Sequence, residues 1–244
     1  MRYTEPVLRL FQVPPDYGLS SASPFCCRVE VFLKLAGIPY ESEANADLRK
    51  APKGKVPWIE DGERVLGDSS FIVEYLTAKH NVQLDASLSA SQRGAAHCLK
   101  RMLTETFYWY IIQARWIEPQ NWVQYRQYFL RILPPVIGSL VLSMIRKSVK
   151  SQIKGHGIGL HTRDEIWQMC RADIDALAAV LGDQDYFFGD TLTSVDGDVY
   201  TFMSGLLFPP FETPGRSYLQ EQETLVAHCR RVHERVFPEV AFPA

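Results

Sequence analysis

Residues 55–76 read KVPWIEDGERVLGDSSFIVEYL. Within them, residues 56–60 and 63–66 are short runs of strand-forming side chains, and Asp61-Gly62 between them is a hairpin-turn dipeptide. Asp68-Ser69 then offers side-chain oxygens where a helix begins, with Phe71, Ile72, Tyr75 and Leu76 expected on one helical face. Working upstream, residues 7–13 alternate in their second half and stop at Pro14-Pro15, as a strand does. A loop rich in Pro, Gly and Ser leads to a helix start, with Ser23 at the cap and Pro24 at the first helical position. Phe25, Val29, Phe32, Leu33 and Ala36 follow at helical spacing, Gly37 ends the run, and residues 38–42 read as a second strand. Strand, helix, strand implies a parallel pair, and the hairpin adds an antiparallel edge.

After about residue 81 the strand signals stop. Residues 92–115 carry a helical pattern with the aromatic cluster Phe107, Tyr108, Trp109 and Tyr110. Residues 162–181 repeat Ile166, Cys170, Ile174, Leu177 and Leu181 at helical intervals. Residues 195–207 are apolar on most sides, hence buried, and residues 219–236 read as one charged amphipathic helix. Residues 82–91 are the expected linker, giving an α/β unit over 1–81 and an all-α unit over 92–244. The chain of 244 residues is 46% hydrophobic and 22% charged, enough to bury a core and too apolar for a disordered protein. Net charge is -2, with no global basic field, which argues against a nucleic-acid partner. Five cysteines without paired spacing argue for a reducing compartment rather than a disulfide scaffold. The polar residues 1–6 lack the pattern of a secretory leader, so a cytoplasmic location is expected.

Residues 132–145 are the most apolar stretch, interrupted by Pro134, Pro135 and Gly138. They fall short of the ~18 to 20 apolar residues of a spanning helix, so no integral membrane segment is expected. A buried helix and turn is the expectation there, with an interfacial membrane segment as the alternative. The basic run Arg146, Lys147, Lys150 and Lys154 reads as a solvated helix face, with contact to an anionic membrane as the alternative. His156 and His161 bracket a Gly-rich turn, but no third and fourth ligand stands at zinc spacing, so no metal is expected.

Three local signals occur in fixed order: Ser23-Pro24-Phe25-Cys26 at a helix start, Lys55-Val56-Pro57-Trp58 with a proline opening a strand, and Asp68-Ser69 at another helix start. At this spacing they resemble the thioredoxin-like domain of the glutathione transferases. YFFGDTLTSVDGDVY, residues 186–200, is similar to the segment where a capping box nucleates a buried helix in that superfamily, here through Thr193 and Asp196. Residues 23–41, 50–76, 154–166 and 187–200 are similar to the metaxin and failed-axon-connections branch, departing modestly at Leu160 and Asp164, where the branch more often shows Arg and Glu. The resemblance implies a thioredoxin-like N-terminal domain joined to an all-α C-terminal domain.

It also implies a ligand, glutathione, and roles for named residues. Free glutathione's thiol has a pKa near that of cysteine, about 8.5, so a site must stabilise its thiolate. Ser23 is the candidate, by its hydroxyl and by the helix N-terminus beneath it, with Tyr17, Ser20 and Ser21 as rivals in the same loop. Its plainer role is an N-cap. Pro57 is expected to be cis, turning the Val56 backbone toward the peptide ligand; its plainer role is a strand-edge proline. Ser69 is expected to hold the γ-glutamyl carboxylate and Asp68 the ammonium, where an ordinary cap is the plainer reading. Lys55 faces the other carboxylate or simply solvent. Ser-Pro-Phe-Cys looks like a redox CxxC whose first cysteine has become Ser23, so disulfide exchange of that type is not expected. Cys26 and Cys27 read as small buried hydrophobes, although Cys26 in a first helical turn can have a lowered pKa. Phe107, Tyr108, Trp109 and Trp116 read mostly as core, with some lining an apolar pocket beside Ser23.

The expected reaction is therefore attack of the glutathione thiolate on a small hydrophobic electrophile, with glutathione as co-substrate. The alternative, implied by the metaxin branch, is a non-catalytic binding or interaction module on the same fold. Monomer and homodimer both remain open at this stage.

Overall fold

A computed structural model describes residues 7–44 and 47–243; residues 1–6, with their expected lack of a leader, lie outside them. Leu8–Gln12 forms β1, Pro24–Leu35 α1, Tyr40–Ala44 β2, Trp58–Asp61 β3, Arg64–Gly67 β4 and Ser69–Lys79 α2. The strands make one sheet in the order β2-β1-β3-β4. β1 runs parallel to β2 and antiparallel to β3, and β4 closes the hairpin on β3. Leu8 and Leu10 of β1 and Ile59 of β3 pack against Val29, Phe32 and Leu33 of α1 and against Ile72 and Leu76 of α2.

Two strand starts fall two residues later than the sequence reading, each because a backbone N–H is used elsewhere or missing, and the other two fall one residue later. The second strand begins at Tyr40 rather than residue 38. The Ile38 N–H closes α1 by donating to the Leu33 carbonyl at 3.0 Å, across Gly37 at φ +65. The third begins at Trp58 because Pro57 has no N–H to give the ladder. The Val56–Pro57 peptide is cis, as expected.

From Ala90 onward the chain is helical. α3 is Ala90–Met102, α4 Tyr108–Ile112, α5 Pro119–Ile132, α6 Gly138–His156, α7 Arg163–Leu181, α8 Ser194–Leu207, α9 Pro214–Gln220 and α10 Glu223–Val236. Two π-helical turns, Leu103–Phe107 and Gln113–Ile117, link α3 to α4 and follow α4. α8 is buried along its whole length and packs against α1, so α1 lies between the sheet and the helical core. The Thr193–Asp196 cap sits at its start. The Asp196 carboxylate accepts from the Thr193 N–H at 2.8 Å, the Thr193 hydroxyl at 2.9 Å and the Phe187 N–H at 2.9 Å. His228 Nε2 meets it at 2.9 Å.

Three expectations are corrected. Residues 132–145 are not a buried helix and turn: they form the exposed tip of the α5–α6 helical hairpin, and only Gly138 and Leu142 are buried. The reason is that α6 packs inward through Leu142 and Ile153, which leaves Leu140 and Met144 on its outer side. Residues 219–236 are not one helix. Thr213 caps α9, accepting from the Arg216 N–H at 3.1 Å with Pro214 at the first position, and α9 ends before α10 begins. Phe71 is not on the buried face of α2; it is exposed, with the Lys53 ammonium over its ring at 4.7 Å. Among the described residues no helix is long and apolar enough to cross a membrane.

Candidate functional site

The N-terminal ends of α1 and α2 open onto one cleft, walled on the far side by the α3–α4 helix. The cleft has two lobes, with volumes of about 340 and about 450 Å³, in the range of small-molecule sites. Lys55, Val56, Phe25, Thr104 and Glu105 line both.

The first lobe is polar. Pro57, Asp68, Ser69, Ser70, Lys53 and Arg101 line it. Asp68 caps α2: its Oδ1 accepts from the Ser70 N–H at 3.0 Å, and its backbone sits at φ +87, a region that costs a non-glycine residue of order 1–3 kcal/mol. Ser69 and Ser70, in the first turn of α2, line the lobe. Lys53 Nζ lies 3.6 Å from the Asp68 carboxylate. Ser69 is nearly buried, and its Oγ accepts from Arg28 Nη1 at 3.1 Å, which leaves the hydroxyl proton to donate. Arg28 also donates to Ser70 Oγ at 2.9 Å and, through Nε, to Asp198 Oδ1 at 2.7 Å. The turn that carries Ser69 and Ser70 is thus tied through a buried guanidinium to α8.

The second lobe carries the aromatic side chains among polar ones. Ser23, Phe25, Tyr108, Trp109, Val149 and His156 line it. The helix from α3 through the turn Leu103–Phe107 to α4 serves both core and cleft. Thr104, Glu105, Tyr108 and Trp109 recur at steps of three and four on the cleft side, while Leu103, Phe107, Tyr110 and Ile111 do so on the core side. The His156 ring packs on Trp109 with centroids 4.8 Å apart, whereas His161 lies beside Glu165. Burial pushes the Tyr108 phenol up to about 12, so it keeps its proton at neutral pH.

Ser23 stands where α1 begins, and its side chain makes no capping hydrogen bond. The Cys26 and Cys27 N–H groups turn back on the Ser23 carbonyl at 3.1 and 3.0 Å, and Pro24 has no N–H. Among the described residues this leaves the Phe25 N–H as the unpaired donor of the first turn. The rivals stand elsewhere. Ser21 is fully buried and donates to the Val13 carbonyl at 2.8 Å. The Ser20 oxygen is buried away from solvent, and Tyr17 packs edge-on against Phe211 at 5.2 Å. Neither Tyr17 nor Ser20 lines the cleft. Arg115 fixes this loop from below, donating to the Ala22 and Gly205 carbonyls. Cys26 and Cys27 are buried, and desolvation pushes their thiols up to about 12 and about 11, opposite to the lowered pKa a first helical turn suggested for Cys26.

The structure therefore brings Ser23, Lys55, Val56, Pro57, Asp68 and Ser69 to one cleft and leaves Tyr17 out of it. Sequence reasoning missed Arg28, Lys53 and Arg101. Arg28 carried a signal: a charge flanked by Cys27 and Val29 in an apolar helix needs a partner. Arg101 carried none, since its place depends on how α3 crosses the cleft.

Comparison with known proteins places the chain in a family. Residues 24–121 match the glutathione S-transferase N-terminal domain and residues 170–232 the glutathione S-transferase C-terminal domain. The isoprene-epoxide–glutathione S-transferase of Rhodococcus sp. (strain AD45) is 30% identical over 94% of this chain and 99% of its own. Failed axon connections of Drosophila melanogaster is 28% identical over 97% of this chain, which spans 60% of that protein. Human metaxin-2 is 26% identical over 93% of this chain and 88% of its own. Among solved structures, apo glutathione S-transferase III superposes with a TM-score of 0.62 at 18% identity, covering 98% of this chain and 99% of that one. The chain belongs to the glutathione S-transferase superfamily, on the branch it shares with Failed axon connections and the metaxins.

Proposed function

We propose that this protein conjugates the glutathione thiolate to a small hydrophobic electrophile. The observation that carries the reading is the two-lobed cleft: a polar lobe over the start of α2 meets an aromatic lobe beside the start of α1, where Ser23 stands. The γ-glutamyl carboxylate takes the Ser69 N–H and hydroxyl, and Asp68 takes the ammonium. The Val56 backbone next to Pro57 pairs with the cysteinyl peptide group, and Lys55, with Lys53 and Arg101 near it, draws the glycyl carboxylate. Ser23 Oγ and the Phe25 N–H then face the sulfur. Tyr17, the other candidate for that task, is disfavoured by its packing on Phe211.

The relative from Rhodococcus is named for an isoprene epoxide. An epoxide suits the aromatic lobe: the thiolate attacks a ring carbon, the C–O bond breaks, and the oxygen takes a proton. The protonated Tyr108 phenol is placed to donate it. Residues 1–81 are the glutathione-binding unit in this reading and 92–244 the helical unit, joined by 82–91. Five free cysteines fit the expected cytoplasm. A homodimer and the absence of a nucleic-acid partner belong to the same proposal. The match to Failed axon connections and the metaxins favours the second reading, a binding module with a retained ligand site.

One titration series tests both. Calorimetry should show glutathione binding, weakened by about 1 to 2 kcal/mol in Ser69→Ala. Ultraviolet absorbance of the thiolate should give bound glutathione a pKa clearly below about 8.5, rising in Ser23→Ala but not in Tyr17→Phe. Binding without a depressed pKa would favour the module over the enzyme. Unchanged affinity in Ser69→Ala would remove the α2 assignment.

A further inference from the structure

Residues 119–163 contain no Asp or Glu, although the whole chain has net charge -2. The stretch spans α5, the hairpin turn and α6, and its basic residues are Arg126, Arg131, Arg146, Lys147, Lys150 and Lys154, with Arg163 at its end. Several are engaged. Arg131 reaches Asp16 at 3.4 Å, Arg126 reaches Ser139 at 3.4 Å, and Arg146 sits over the Trp122 ring at 4.2 Å. Lys147, Lys150 and Lys154 have no hydrogen-bond or ion-pair partner among the described residues, and all three are exposed.

Apolar side chains lie beside them in solvent. Val136 is 95% exposed, Ile137 51%, Leu140 66% and Met144 65%, so four large apolar side chains gather in solvent at one end of the hairpin. Leu140, Met144, Lys147, Ser151 and Lys154 recur at steps of three and four, so they share one face of α6. The stripe is apolar near the hairpin tip and basic along the shaft. Val149, Gln152 and His156, on the opposite face, line the aromatic lobe of the cleft.

We propose that this stripe docks the protein on an anionic lipid bilayer, with Val136, Ile137, Leu140 and Met144 at the acyl boundary and Lys147, Lys150 and Lys154 on the phosphates. Charge and shape select this occupant. A second copy using the same patch about a two-fold axis would set acid-free basic faces against each other. A protein groove would have to fit a convex turn stiffened by Pro134 and Pro135, whereas a bilayer yields around it. Long lysine side chains reach past an apolar stripe to headgroups. Docked in this way, α6 holds the aromatic lobe beside the membrane, where apolar electrophiles concentrate.

The test uses the whole protein with vesicles of phosphatidylcholine alone and of phosphatidylcholine with one-third phosphatidylserine. Cosedimentation is expected with the anionic vesicles only, and it should fall in high salt as the surface field is screened. Each lysine contributes roughly fivefold at such a surface, so Lys147→Ala/Lys150→Ala/Lys154→Ala should weaken binding about 100-fold. Val136→Asp/Leu140→Asp should also abolish it, with the melting temperature of both variants unchanged because every site is exposed. Absence of binding by the unmodified protein overturns the proposal, as does binding that survives both variants. If instead Val136→Asp/Leu140→Asp converts a dimer to monomer in sedimentation velocity and no vesicles are bound, the stripe is a subunit interface and the proposal fails.

Discussion

Cys26 and Cys27 stand three and four residues from Ser23, in the most suggestive run of the sequence, yet their chemistry is set by burial. Both are buried, and removal of the thiolate from water outweighs the helix N-terminus and the neighbouring serine hydroxyls. Cys98, by contrast, is exposed on α3. Native alkylation with iodoacetamide at neutral pH, read by mass spectrometry, should therefore modify Cys98 first and leave Cys26 and Cys27 unmodified until the protein unfolds. Early modification of Cys26 would mean the start of α1 opens to solvent. At this scale the sequence was informative where the backbone itself makes the site. Pro57, Asp68 and Ser69 are recognisable because a proline before a strand and a polar pair at a helix start have local consequences. Arg28 and Arg101 were not, because their roles lie in partners far away in the chain, Asp198 for one and the cleft wall for the other.

The hairpin and α2 form the element on which the polar lobe rests, and one buried carboxylate fastens them. Asp61 at the end of β3 accepts from the Tyr75 hydroxyl at 2.7 Å and from Lys79 Nζ at 2.6 and 2.7 Å. Burial alone would raise its pKa, but the Lys79 and Tyr75 hydrogen bonds win and hold it below the ordinary value. A carboxyl depressed in the folded state stabilises the fold above its unfolded pKa of about 3.9, and that stabilisation is lost as pH falls through the lower, folded value. Asp61→Asn should therefore lower stability at pH 7 by about 1 kcal/mol and flatten the acid limb of a stability-against-pH curve from urea unfolding. An acid limb of unchanged slope would refute the assignment. The Asp61-Gly62 turn and the helix after it were legible as elements. The inward face of α2 was legible only through Ile72 and Leu76, since Phe71, equally apolar, serves the cleft. Likewise residues 132–145 read as core because apolar composition reports cost of exposure, not which surface covers it.

Across the molecule two aspartates two residues apart on α8 bond in different directions, one to the start of α8 and one toward the candidate site. Asp196 closes the start of α8 with the Thr193, Phe187 and His228 bonds and touches nothing in the cleft. Asp198 faces the other way, into Arg28, and through it fixes Ser69 and Ser70 at the start of α2. Removing one partner of a buried ion pair leaves an uncompensated charge and costs roughly 3–5 kcal/mol, whereas replacing both with apolar groups is often close to neutral. Asp198→Leu should therefore destabilise strongly, and Arg28→Met/Asp198→Leu should recover much of that loss. Glutathione affinity should not recover, because Ser69 and Ser70 then lack the guanidinium that sets their hydroxyl rotamers. Asp196→Ala serves as the contrast: its melting temperature should drop, while affinity measured well below that temperature stays near the unmodified value. The measurements are urea unfolding for stability and calorimetry for glutathione. If the double variant regained affinity along with stability, the Arg28–Asp198 pair would matter to the fold only, and the link from α8 to the ligand site would be refuted.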